Sequence, residues 1–144
     1  MEELVSEMKV ALATSYTYQL KAHYYHWNVE GPNFPQYHDF FGKLYEELHG
    51  AVDPIAEEIR SLDAYAPGSF SRFMELTEIE DETNVPMARE MALKLLRDND
   101  TVLNTLNVAF KLADQFDRQG LADFVAGRID VHNKHAWMLR SITK

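Results

Sequence analysis

Apolar residues recur at a helical period over most of the chain, and no stretch alternates as a strand would. Val5, Met8, Leu12, Tyr16, Leu20, His23 and Trp27 mark one face of a first helix over residues 3–28, which no glycine or proline interrupts. Gly31-Pro32 ends it, and Pro35 suits the first turn of a second helix that runs to about Asp63. A linker, AYAPGSF, leads to a short turn of helix over 71–76 and an acidic stretch, EIEDE, at 78–82. Pro86 suits another first turn, so a third helix is expected from about Val85 to Arg118, with Met91, Leu95, Val102, Leu106, Phe110 and Ala113 as its seam. Gly120 reads as a stop, and a fourth helix fills 121–142. The prediction is an all-α four-helix bundle, one domain over residues 1–144, with a short extra helix in the long connection that crosses the bundle. Pro54 lies inside the second helix, four residues after the flexible Gly50, which predicts a bend at 50–54.

Composition narrows the function. With no cysteine, disulfides, thiolate nucleophiles and cysteine-ligated metal clusters are excluded. No apolar run approaches a membrane span and the first residues, MEELVSEMK, lack a signal-peptide pattern, so no membrane partner and a cytoplasmic location are expected. The formal net charge of −9 disfavours nucleic acid, whose affinity comes largely from lysine and arginine on phosphates.

The chemistry-bearing stretch is 26–57. His26 and His38 flank the Gly31-Pro32 break, so a helical hairpin brings both imidazoles to one end of the bundle. Asp53 and Glu57 are one helical turn apart and can grip one divalent ion. Mixed nitrogen and carboxylate donors suit iron(II), with zinc, cobalt and manganese as competitors. Fifteen residues of helix separate His38 from Asp53, roughly 22 Å at ~1.5 Å per residue, whereas ligands reach an ion at about 2 Å. One copy therefore cannot close a four-ligand site. Two copies can, if a two-fold axis lays the histidine end of one hairpin against the carboxylates of the other.

His26-Trp27-Asn28-Val29, Gly31, Phe34, His38, Tyr45, Asp53 and Glu57, followed by Pro67-Gly68 and by HNKHAWMLRS at 132–141, resemble the signature of the Dps family, the miniferritins. The likeness spans nearly the whole chain. It implies a hollow homo-oligomer, a dodecamer of ferritin-like bundles, with metal sites shared across two-fold axes. It also implies ferroxidase chemistry: iron(II) is oxidised by peroxide or oxygen and stored as ferric mineral, protecting the cell from oxidative damage. On this likeness His26 and His38 come from one subunit, Asp53 and Glu57 from its partner, and these four are the catalytic, metal-binding set. It lets Trp27 take up oxidising equivalents and places Asp123 at a three-fold entry pore, where a ring of acids would concentrate cations. His23, one turn before His26, is a candidate supporting residue.

Other readings compete. Taken alone, Asp53 and Glu57 are a solvated acidic face, His26 a hydrogen-bonded core histidine, Trp27 a packing residue, and Asp123 a surface acid in a first helical turn. His132 lies on the apolar seam of the last helix and reads as a core or capping residue. Glu46 and His49 form an E-x-x-H, as used inside single ferritin bundles, but no second such motif is present. A DNA-compacting particle is the other activity the family name implies; no basic tail is evident, and negative charge argues against DNA binding. A bundle whose metal site has decayed to a structural role is the third reading. It draws on Gly42, where many family members carry a second carboxylate one turn after the second histidine. Glycine there has no evident local benefit, Asp39 faces elsewhere, and Glu46 is ~12 Å from His38 along the helix. The sequence thus predicts one firmly held metal per site, on His26, Asp53 and Glu57. The second position, near His38, is expected to be weak, and Gly42→Asp is expected to strengthen it.

Overall fold

A computed structural model describes all 144 residues. Its helices are α1 (Glu2–Asn28), α2 (Phe34–Ser61), α3 (Phe70–Leu76), α4 (Ala88–Gln115) and α5 (Gln119–Ile142), with no strand. Four long helices and a short one in the long connection are the architecture that the apolar period predicts. No helix is long and apolar enough to cross a membrane.

The pairs α1–α2 and α4–α5 pack as hairpins, and α1 also packs on α4. Gly31, at φ 101°, and Asn33, at φ 64°, turn the chain between α1 and α2. The connection from α2 to α4 then travels along α1 toward the end where α2 began. Phe73 stacks on Tyr16, the Glu78 amide donates to Thr14 Oγ1, Lys21 Nζ donates to the Glu80 carbonyl, and Tyr24 Oη donates to that of Asn84. This crossover makes α2 parallel to α4.

The buried line of α1 differs from the expected seam. Leu4, Met8, Ala11, Ser15, Tyr18, Ala22 and Tyr25 are buried, whereas Leu20 and Trp27 are exposed. Because α1 touches α2, α3 and α4, apolar residues cover most of its circumference and several stripes fit the same period. The tyrosines enter the core because their hydroxyls find acceptors there: Tyr18 donates to the Leu95 carbonyl and Tyr25 to Glu82.

The limits of the last two long helices also need correction. Pro86 lies outside α4, which starts at Ala88, because the residues before it are held extended along α1. At its far end α4 stops at Gln115, and the left-handed residue beyond it is Asp117, at φ 56°, not a glycine. The Arg118 amide donates to the Ala113 carbonyl at 2.8 Å, closing the helix end. Gly120 therefore falls inside α5, and Asp123 lies beyond its first turn, where the pull of the helix terminus has faded.

Candidate metal centre

His26, in the last turn of α1, and His38, in the early turns of α2, stack with ring centroids 3.9 Å apart and planes 17° from parallel. Each ring is tied to the other residue's backbone: His26 Nδ1 donates to the His38 carbonyl at 2.6 Å, and His38 Nδ1 donates to that of His26 at 2.7 Å. A carbonyl can only accept, so both protons sit on Nδ1 and both Nε2 lone pairs stay free. A backbone carbonyl on one nitrogen and a bare second nitrogen is how metal-binding histidines are commonly held. The sequence brings the two residues to one end of the hairpin; the reciprocal lock is visible only in the structure.

Asp53 and Glu57 lie exposed on α2, one turn apart. At ~1.5 Å per residue they stand 22 Å and more along the helix from His38. No group of three or more histidine, aspartate or glutamate side chains in the chain is close enough to hold one ion. The structure pairs the two histidines and keeps the two carboxylates apart from them.

Around the pair, His23 stacks on Tyr45 at 3.5 Å and lies 3.9 Å from the Trp27 ring and 6.1 Å from that of His26. Burial, then the neighbouring His26 and His49, lower the His23 pKa, so it is neutral near pH 7. Trp27 is 57% exposed and Asp123 is exposed.

Gly42 has a local reason after all. A Cβ there would lie 2.8 Å from His26 Cε1 and 2.9 Å from Nδ1, inside any real contact distance. The ring rests on bare helix backbone, and its bond to the His38 carbonyl holds it there. Gly42→Asp is therefore expected to displace His26 and weaken binding, reversing the sequence-based expectation. A loss of about tenfold or more in zinc or cobalt affinity, the usual scale for disturbing a ligand-orienting contact, is the calorimetric result expected. Unchanged or tighter binding would contradict it.

A second polar cluster, inside the bundle, escaped the sequence reading. Arg128, His132 and His135 share one face of α5 at i, i+4 and i+7. Both Arg128 Nη1 and Nη2 donate to the Glu47 carboxylate, and His135 Nε2 bonds Glu47 Oε1 at 2.8 Å. Burial works to raise the Glu47 pKa, but the bonds from His135 and Arg128 outweigh it and hold it at about 2. Arg128 Nη2 also donates to His132 Nε2, while His132 Nδ1 donates to Asn99 Oδ1. Burial, then Arg128, push the His132 pKa down to about 3, consistent with this neutral tautomer. His132 is thus a core residue, and a guanidinium supplies the positive charge within the bundle. Only the i, i+4, i+7 spacing on α5 could have signalled this cluster.

The bundle is that of a ferritin-like protein, and a model of the ferritin-like domain matches residues 5–144. The chain is 33% identical over 122 residues to the DNA protection during starvation protein of Brevibacillus brevis, covering 85% of this chain and 82% of that one. It is 37% identical over 132 residues to an uncharacterized low temperature-induced protein of Nostoc sp., covering 90% and 74%. The crystal structure of a Dps protein from Bacillus brevis superposes with a TM-score of 0.95 at 29% identity, over 99% of this chain and 96% of that one. The Vibrio cholerae Dps structure, described as a member of a broad superfamily of ferritin-like diiron-carboxylate proteins, also gives 0.95, at 25% identity over 99% and 90%. The chain belongs to the Dps family of ferritin-like proteins.

Proposed function

We propose that this protein is a ferroxidase and iron-storage miniferritin, a single Dps-type domain whose iron(II) substrate binds at centres shared between two copies. The reciprocal His26–His38 lock carries this reading. It presents two free imidazole lone pairs at a place where the same chain offers no carboxylate. Asp53 and Glu57 of a second copy, brought in by a two-fold axis, complete the centre, and each such pairing makes two equivalent centres. His26 with Asp53 and Glu57 holds one ion, and His38 faces the second. Each iron(II) gives up one electron, so one peroxide, which accepts two, turns over a pair of irons. Oxygen is the alternative oxidant, and the ferric product is stored as mineral within a closed shell of twelve copies. Trp27, close to His23 and beside His26 in sequence, can take up stray oxidising equivalents; Asp123 would line an entry pore. Zinc and manganese compete for the same donors.

Anaerobic iron(II) titration of the purified particle, followed by peroxide, tests this directly. Saturable binding, then a rise in ferric absorbance with particle mass retained, is expected. A monomer that binds iron tightly through these residues would contradict it. The competing DNA-compacting role is disfavoured by the net charge of −9, which a closed shell multiplies. No duplex shift is expected in a gel at moderate salt without divalent cation, since such ions bridge two anions; a clear shift there would favour DNA binding.

A further inference from the structure

His49 belongs to neither polar cluster, yet it is held in the same way as the ligand pair. It is exposed on α2, and its Nδ1 donates to Gln19 Oε1 at 3.1 Å, an amide of α1 that is itself 6% exposed. An amide oxygen only accepts, so the proton is on Nδ1 and the Nε2 lone pair is free, as in His26 and His38. The ring also stacks on Tyr45, with centroids 5.6 Å apart, and Tyr45 stacks on His23. A solvated surface histidine has no need of a buried amide to fix its tautomer; a metal ligand does.

Its position along α2 gives it a task. His49 precedes Asp53 by one turn, as Asp53 precedes Glu57, so the three form an i, i+4, i+8 line. Two donors at i, i+4 on one helix face can hold a single ion, the spacing of the paired histidines in H-E-x-x-H zinc sites. Asp53 is therefore flanked by a donor on each side. The rings of His26 and His38, 3.9 Å apart, can each serve a separate ion, since paired ions stand about 3.5–4 Å apart. The second ion needs a donor beyond His38, and its own subunit offers none at residue 42, a glycine whose backbone carries the His26 ring as it is held here.

The two-fold arrangement supplies one. If α2 of two copies run antiparallel with His38 opposite 53–57, facing residue numbers sum to 91–95. The partner's residue 49 then lies opposite 42–46. We propose that the partner subunit's His49 is a ligand of the shared centre, donating Nε2 to the second metal where Gly42 offers nothing. This rests on the shared-centre reading and replaces the expectation of a weak second position.

Cobalt(II) is the probe, because it reports its ligands by visible absorption and needs no oxidation. The native assembly is expected to bind two cobalt ions per centre. His49→Ala is expected to lose at least about tenfold in affinity for one of them, with a changed spectrum, and to keep the other. Assemblies mixed from His49→Ala and His26→Ala chains regain some two-ion centres, because the changes lie in opposite halves. Mixing His49→Ala with Asp53→Ala restores none. Two cobalt ions at unchanged affinity in His49→Ala overturns the proposal, as does restoration in the second mixture. If Asp53→Ala also binds as the native protein does, the shared-centre reading itself fails. If Asp53→Ala loses binding while His49→Ala does not, only the role of His49 fails. His49 is exposed, so unchanged particle mass and melting temperature are expected; a variant that loses both shows a structural role and counts against the proposal.

Discussion

Replacing Asp53 or His26 by alanine is expected to slow iron(II) oxidation on the order of 100-fold or more, since even residues that only support a metal ligand can cost that much. Asp53 is exposed, and shortening it removes no core contact. His26 sits against Gly42, and its loss removes one half of the reciprocal lock but no buried apolar side chain. Both variants are therefore expected to assemble as the native chain does, judged by light scattering. Stopped-flow absorbance after addition of peroxide reads the rate. Native rates in either variant, with assembly intact, would remove that residue from the centre.

The largest effect on stability is expected at Lys21. Its ammonium lies 2.7 Å from Asp98 Oδ2, and the side chains are 5% and 4% exposed, so this ion pair is sealed between α1 and α4. Lys21 also donates to the Glu80 carbonyl, pinning the crossover. Lys21→Met leaves the Asp98 carboxylate buried, with only the half-exposed Arg97 beside it. Breaking a buried pair from one side costs about 3–5 kcal/mol. In a chain of this size that lowers the thermal midpoint on the order of 10 °C. Removing both charges, as Lys21→Met with Asp98→Leu, should recover much of the loss, because no unpaired charge is left inside. Circular dichroism melts of the three proteins check this. A Lys21→Met midpoint equal to that of the native chain would show that the pair carries no such weight.

The parts of this molecule that were legible in the sequence are those set by local rules. Helical period and the Gly31-Pro32 break placed the hairpin, and the hairpin placed His26 beside His38. The length of α2 keeps Asp53 away from both. What stayed hidden depends on contacts between distant segments. Gly42 looked like a missing ligand because only the packed α1–α2 pair shows the His26 ring lying on its backbone. Nothing in the sequence sets Glu47 apart from its neighbour Glu46; only the packing of α5 gives it Arg128 and His135 as partners. His49 was set aside for want of a second E-x-x-H, since its tie to Gln19 crosses thirty residues of sequence. On α1 the period was right and the stripe was not, because a helix packed on three neighbours buries several stripes and tyrosine hydroxyls chose among them.

The shared centre is tested most directly by mixing unfolded His26→Ala and Asp53→Ala chains in equal amounts and reassembling them. Each parent alone has no intact centre. In a mixed pair, one of the two centres draws its histidines from the Asp53→Ala chain and its carboxylates from the His26→Ala chain, so it is whole. Random pairing makes half of all pairs mixed, and about a quarter of the native oxidation rate should return. A rate no higher than that of either parent, in particles of native mass, would contradict a centre built from two copies.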